Sequence, residues 1–149
     1  MIEIINEFTI AKEKFFNILK SNQKENGVLE YDSVTELSKN IFISEDGDIN
    51  LDYNDLINIF NHDSDINIIT LKVDNIKEGL KFILDTKEID KQKNVCFHFL
   101  FNSDFIMNEL SDGMQLLYDR ANEEANISLC VSSNDTIGLN EVGINCFFS

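Results

Sequence analysis

Residues 46–60, DGDINLDYNDLINIF, join a dense polar loop directly to a helix signal. Asp52 is a suitable N-cap, and Asp55 in the first turn would favour the positive end of the helix. Apolar residues then recur at helical spacing, at Leu56, Ile59 and Phe60. Local physical chemistry alone therefore predicts a capped helix start, with Asn50, Asp52 and Asp55 on its loop side.

The acidic positions of this loop partly follow a calcium-binding pattern. Asp46, Asp48 and Asn50 match the D-x-D-x-N start of an EF-hand loop. The sixth position is Leu51 instead of glycine, and the twelfth is Ile57 instead of a bidentate glutamate. We therefore expect no EF-hand site, and Asp46 and Asp48 are at most candidates for a weakly held cation.

Composition limits the classes of protein to consider. The 149 residues suffice for one domain with a hydrophobic core, and 43% of them are hydrophobic. The net charge of −15 repels nucleic-acid phosphates and anionic membranes, although an acidic excess also serves solubility. No apolar run approaches the roughly 20 residues of a membrane span, and no signal peptide is recognisable. We expect a cytoplasmic protein with no cofactor and no nucleic-acid or membrane partner.

The cysteines and histidines offer little support for catalysis. Cys96, Cys130 and Cys146 each lie in an apolar, strand-like run without C-x-x-C spacing. That pattern is typical of buried reduced thiols and argues against a metal site. His98 lies among phenylalanines, which indicates a hydrogen-bonded core or edge residue, and neither it nor His62 accompanies a nucleophile motif. An independent hydrolase therefore has the least support.

Hydrophobic periodicity predicts alternating helices and strands. Helices are expected over residues 8–20, 33–40, 53–61, 74–86 and 104–124. Strands are expected over residues 66–73, 95–101, 126–132 and 141–148. The strand–helix–strand order favours some parallel pairing, whereas the last two strands are expected to form an antiparallel hairpin. The predicted fold class is α+β, a two-layer domain with a four-stranded mixed β-sheet covered by helices.

Two of these helices have a distinct inward face. In the helix over 74–86 it comprises Ile76, Leu80, Ile83 and Leu84. In the helix over 104–124 it comprises Phe105, Met107, Leu110, Met114, Leu117, Tyr118 and Ala121. Both helices are therefore expected to pack on the sheet.

A family resemblance lies in residues 47–56, GDINLDYNDL. This segment resembles the loop and helix that open the C-terminal domain of the FtsZ/tubulin superfamily, which in FtsZ follow the pattern G-x-I-N-x-D-[FY]-x-D-[VL]. The order of the later elements is similar too, including the closing segment ANISLCVSSNDTIGLNEVGINCFF over residues 125–148. The resemblance implies an N-terminal helical segment, 1–33, followed by an FtsZ/tubulin C-terminal-like α+β domain, 34–149.

The resemblance also implies a role for the loop. In the family, this loop enters the nucleotide pocket of the neighbouring subunit, where its acidic residues promote GTP hydrolysis. By resemblance, Asp52 and Asp55 would polarise the attacking water in trans, and Asn50 would order the loop. The family's GGGTGTG-type phosphate loop has no counterpart, because the 6 glycines are never adjacent. We therefore expect no GTP binding by this chain alone.

Two functional hypotheses follow, and neither makes the chain an enzyme by itself. The first is a stand-alone FtsZ/tubulin C-terminal-like interaction module of a cytoskeletal or cell-division system. Its acidic loop, residues 46–55, would contact an FtsZ-like protein, a separately encoded GTPase half, or a second copy. At most, it would contribute acidic residues to a GTPase site in trans. The alternative is a small acidic inhibitor or immunity-type protein that blocks a basic partner.

Overall fold

A mixed β-sheet forms the centre of the computed structural model, which describes residues 1–17, 60, 65–102, 108–121, 123–133 and 138–149. The strands are β1 (Ile2–Ile10), β2 (Ile66–Val73), β3 (Asn94–Phe101), β4 (Asn126–Ser133) and β5 (Val142–Phe148). The helices are α1 (Ile76–Thr86) and α2 (Asn108–Arg120), with a 3₁₀ turn at Ile89–Lys91. Residues 12–17 are also helical.

The five described strands are ordered β1-β2-β5-β3-β4. β3 and β4 are parallel and are joined through α2, as expected for a strand–helix–strand unit. β5 is antiparallel to both β2 and β3, and β1 is antiparallel to β2. The predicted α+β class, with helices on a mixed sheet, is confirmed, but the described sheet has five strands instead of four.

The predicted hairpin between the last two strands is wrong. β5 lies between β2 and β3, whereas β4 pairs only with β3 among the described strands. β5 is buried on both faces, because Ile144 and Cys146 pack towards the helices while Phe147 packs on the opposite side. A strand with apolar residues on both faces buries more surface in the middle of a sheet than at its edge.

β1 replaces the beginning of a predicted helix. The helix was expected over residues 8–20, but residues 8–10 belong to β1, and the described helical residues are 12–17. β1 pairs with β2 from Ile2–Val73 to Ile10–Ile66, with one register shift between Ile4 and Asn6. The predicted boundary after residue 33 falls outside the described residues, so the division at that point stays a prediction.

The inward face predicted for α1 is confirmed. The side chain of Asn75 accepts a hydrogen bond from the Glu78 amide at 3.0 Å and so caps the helix. The residues buried against the sheet and α2 are Ile76, Leu80, Ile83 and Leu84. This row follows the 3.6-residue period and therefore forms one apolar stripe.

α2 packs beside α1 through a narrower stripe than predicted. Leu110, Met114 and Leu117 are buried, but Tyr118 is 59% exposed because it lies roughly 100° around the helix from Leu117. The helices approach closely at Gly113, where an added Cβ would lie 2.8 Å from Leu80 Cδ1. At the other end, the ion pair between Arg120 and Asp85 joins the helices at 2.6 Å. Phe105 and Met107 lie outside the described residues.

Candidate functional site

The residues predicted for the site lie outside the part of the chain that the structure describes. They are Asn50, Asp52 and Asp55, together with the weak cation candidates Asp46 and Asp48. Their roles therefore stay predictions. Phe60, the last residue of the stretch 46–60, is described and is only 1% exposed.

Phe60 belongs to an aromatic cluster formed with Phe15 and Phe147. The rings of Phe15 and Phe60 meet edge to face with centroids 6.1 Å apart, and those of Phe15 and Phe147 are 5.3 Å apart. Phe147 alternates with Cys146 and Phe148, which face α1 and α2, so the cluster lies on the opposite face of the sheet. Phe15, in the helical residues 12–17, and Phe60 therefore both pack on this second face.

A buried polar pair lies on the same second face. His98 of β3 and Asn145 of β5 are register partners, and Asn145 Nδ2 donates to His98 Nδ1 at 3.0 Å. This bond leaves the imidazole proton on Nε2. Burial lowers the pKa of His98 to about 3, because the charged ring would lose its hydration. The prediction of a hydrogen-bonded core histidine is confirmed, and a neutral ring of this pKa is poorly suited to acid–base catalysis at pH 7.

Two of the three cysteines, like His98, are buried in the core. Cys96 and Cys146 are buried thiols, as predicted. Burial raises the pKa of the Cys146 thiol well above its ordinary value, since a thiolate would be desolvated there. Cys130 lies in β4, and its predicted burial stays a prediction. The two buried thiols are therefore suited to packing and not to nucleophilic chemistry.

A cleft of about 500 Å³ opens where the C-terminal end of α1 meets β1, β2 and β5. On the helix side it is lined by Thr86, Lys87 and Glu88, and on the strand side by Glu7, Thr9, Asn67, Ile69 and Phe148, among others. The Lys87 ammonium forms an ion pair with the Glu7 carboxylate across the cleft. The exposed lining of the cleft is mainly polar, because Ile69 is fully buried and Phe148 is only 7% exposed.

Glu88 has an unusual backbone conformation at this rim. Its φ of 50° and ψ of 45° are left-handed, and it is the only non-glycine residue with positive φ in the described chain. Glycine is the residue that normally takes this position after a helix. The turn directs the chain from α1 into the 3₁₀ segment, and the Glu88 carboxylate forms an exposed ion pair with Lys91 at 3.2 Å.

The described residues contain neither a metal-binding cluster nor a helix that could span a membrane. No cluster of three or more His, Cys, Asp or Glu side chains could hold a metal ion there. None of the helices in the described ranges is long and apolar enough to cross a bilayer.

Neither the cleft nor β1, the strand that forms one of its walls, was predicted from the sequence. A signal was present, because isoleucines occupy alternate positions at the start of β1, at Ile2 and Ile4. The apolar Phe8 and Phe15 instead suggested a helix across this region. The cleft itself has no sequence signature, since its lining comes from three strands and one helix end that are distant in the chain.

Comparison with known proteins identifies the fold. No protein family model and no curated protein sequence matches the chain. An empty dimer of FtsZ from M. jannaschii matches with a TM-score of 0.62 and 20% identity, over 78% of this chain and 35% of that chain. A point mutant of the same FtsZ matches with a TM-score of 0.62 and 20% identity, over 78% of this chain and 36% of that chain.

The protein therefore has an FtsZ/tubulin-like fold. It spans about a third of the length of the FtsZ chains that it matches. The identity of 20% establishes similarity of fold and not of function.

Proposed function

We propose that this chain is a protein-interaction module that contacts an FtsZ-like or separately encoded GTPase through its acidic loop, residues 46–55. The observation that carries the proposal is the structural likeness to FtsZ over 78% of this chain. The loop sequence GDINLDYNDL supports it independently, because it follows the FtsZ pattern position by position. One of the matched FtsZ structures is a dimer, which is the kind of assembly such a module would enter.

In this role, Asp52 and Asp55 act on a nucleotide held by the partner. They polarise the attacking water, and Asn50 orders the loop, as the family resemblance implies. The partner must supply the phosphate-binding backbone, because this sequence has no clustered glycines. The protein acts in the cytoplasm, as part of a cytoskeletal or cell-division system.

The aromatic cluster limits where the loop can reach. Phe60 follows Asp55 by five positions, and an extended chain spans at most about 3.6 Å per position, or roughly 18 Å. Phe60 is held against Phe15, which packs on Phe147 of the sheet. Asp55 therefore lies within roughly 18 Å of Phe60, which packs on the second face of the sheet.

The net charge of −15 favours a second candidate, a small acidic inhibitor or immunity-type protein. Such a protein would bind a basic partner through its general negative surface. Binding would then depend on total charge and ionic strength, and no single aspartate of the loop would dominate it.

An association measurement separates the two candidates. The full chain is immobilised and titrated with a purified FtsZ-like GTPase, with wild type compared with Asp55→Ala and Asp112→Ala. Asp112 is an exposed carboxylate of α2, so its removal changes the net charge equally at a distant place. The proposal expects Asp55→Ala to weaken binding about ten-fold or more, a loss of about 1.4 kcal/mol, and Asp112→Ala to have little effect. Equal weakening by both variants indicates attraction by general charge, as in the second candidate, and contradicts a specific role of the loop. Absence of binding by wild type contradicts the module.

A further inference from the structure

We infer that β1 is an interface at which a second copy of this chain adds its own β1, so that the two sheets continue into one another. The two strands lie antiparallel and are related by a two-fold axis. This surface is separate from the acidic loop and does not depend on the proposed function. The inference rests on the exposed side chains of β1, on its irregular register and on its charges.

β1 is an edge strand that carries exposed apolar side chains. Among the described strands it pairs only with β2, on one of its two sides. Ile4 is 48% exposed and Ile5 is 47% exposed, although both lie within the strand. On β4, the other edge of the described sheet, no large hydrophobic side chain that the structure describes is exposed. Pairing β1 with a further strand would remove this apolar surface from water.

β1 contains one extra residue at the exposed isoleucines. Ile4 lies opposite Leu71 and Asn6 lies opposite Thr70, which leaves Ile5 without a register partner in β2. Such a bulge shifts the alternation of side chains along the strand by one position. A regular strand can therefore pair along the whole of β1 only by leaving Ile5 unmatched again, as β2 does.

A second β1 carries the same extra residue and can match it. When the two-fold axis passes between the isoleucines, Ile4 of each copy lies opposite Ile5 of the other, and no residue is left over. Ile2 then lies opposite Glu7. Both residues are on the side of the sheet that α1 and α2 cover, because each is the register partner of a β2 residue in that core. The side chains on the two halves of β1 thus keep their faces in the joined sheet, which favours a second copy over an unrelated strand.

The charges along β1 are compatible with this register. Glu3 falls opposite Asn6, and Glu7 falls opposite an isoleucine, so no two carboxylates are direct neighbours across the interface. The charge of Glu7 is also balanced within its own copy by the ion pair with Lys87. A register with Ile5 opposite Ile5 would instead place Glu3 opposite Glu7, where like charges are destabilising.

The net charge determines how this association depends on salt. Each copy carries a charge of −15, so two copies repel one another at a distance, and salt screens that repulsion. The apolar contact between the isoleucines requires no counter-charge. We therefore expect association to strengthen between about 50 and 500 mM NaCl, whereas binding to a basic strand of another protein would weaken over the same range.

The full chain is tested by sedimentation equilibrium and by NMR. We expect a monomer–dimer equilibrium with a dissociation constant of about 1 mM or lower, because one strand from each copy makes a small interface. On dilution of the isotopically labelled chain, the amide chemical shifts that change should be centred on residues 2–8. A chain that stays monomeric at about 1 mM, shifts centred elsewhere, or association that weakens with salt would overturn the inference.

Matched variants separate β1 from general attraction between surfaces. Ile5→Glu places a carboxylate among the exposed isoleucines, at a position without a register partner in β2. Tyr118→Glu makes the same change of charge on α2, where the tyrosine is 59% exposed. We expect the dissociation constant to rise about ten-fold or more in Ile5→Glu and to change less than about two-fold in Tyr118→Glu. Equal weakening in the two variants would contradict an interface at β1.

A third variant excludes loss of folding as the cause. Ile5→Thr keeps a β-branched residue that favours a strand but removes apolar surface from the interface. Its thermal midpoint is expected to stay close to that of wild type, while its dissociation constant rises roughly three-fold or more. An unchanged dissociation constant in this folded variant would contradict the contact between the isoleucines.

Discussion

His98 should make the stability of the protein depend on pH in a window that begins above the range where carboxylates titrate. In the folded protein its pKa is about 3, because burial disfavours the charged ring, whereas an unfolded chain has the ordinary value of 6.5. Below pH 6.5 the unfolded chain takes up a proton that the folded protein does not. His98 therefore contributes stability that is fully present above pH 6.5 and is lost as the pH falls towards 3.

The size of this effect follows from the two pKa values. Each pH unit within the window lowers the free energy of unfolding by about 1.4 kcal/mol, so the loss between pH 7 and pH 5 is roughly 2 kcal/mol. That is a substantial fraction of the roughly 5–15 kcal/mol that stabilises an ordinary domain. Few carboxylates titrate in this interval, so it is the most informative one for the histidine.

The measurement is urea unfolding at pH 7, 6 and 5 for wild type and His98→Gln. Glutamine is neutral throughout and can still bond to Asn145, and all other groups titrate in both proteins. The difference between the two pH slopes therefore reports His98 alone, and we expect wild type to lose roughly 2 kcal/mol more than the variant. As a second measurement, His62→Gln leaves His98 as the sole imidazole for an NMR titration. Equal slopes, or an imidazole that titrates near its ordinary pKa in the folded protein, would refute the argument.

Three further predictions test the packing. Phe15→Ala should lower the free energy of unfolding by about 3–5 kcal/mol in urea unfolding, because the fully buried ring anchors the aromatic cluster; a loss below about 1 kcal/mol would contradict that anchor. Gly113→Val should lower it by about 1–3 kcal/mol, since an added Cβ lies 2.8 Å from a leucine of α1. The exposed control Ser111→Val should change it by less than about 0.5 kcal/mol. Cys96 and Cys146 should react with a thiol reagent only on unfolding, and rapid native labelling would show that they are accessible.

The sequence predicted the elements between residues 66 and 101 well, because burial and local chemistry agree there. β2 occupies the predicted residues, and the run NVCFHFLF of β3 is buried on both faces apart from half-buried Leu100. α1 begins near the predicted residue 74, and Asn75 caps it. Local patterns suffice where one element supplies its own turn signals and its own apolar face.

The residues of β4 and β5 contain a signal for the strand order, although the predicted hairpin between these strands is wrong. In β5, six of seven residues are buried, which indicates a central strand. β4 places Ile127 and Leu129 on the helix-facing side and is polar at Asn126 and Ser128, as suits an edge strand. The expectation that consecutive strands pair outweighed this signal and produced the incorrect hairpin.

Other features depend on distant parts of the chain and have no local pattern. β1 gains its stability by pairing with β2, more than 50 residues later in the chain. The bond between His98 and Asn145 requires β5 beside β3, so the incorrect hairpin concealed it. The acidic loop is the converse case, because its motif is visible in the sequence while its geometry lies outside the described residues.

The central claim, that the loop acts on a partner GTPase, is tested most directly by the partner's GTP turnover. Turnover is measured with wild type, Asp55→Ala or Asp112→Ala added in excess, after thermal melts show that all three are folded. Because a carboxylate that positions the attacking water contributes about 10²–10⁴-fold, we expect wild type and Asp112→Ala to stimulate turnover and Asp55→Ala to lose that stimulation. Equal turnover with wild type and Asp55→Ala, whether both stimulate or neither does, would contradict the claim and leave the loop as a capped helix start.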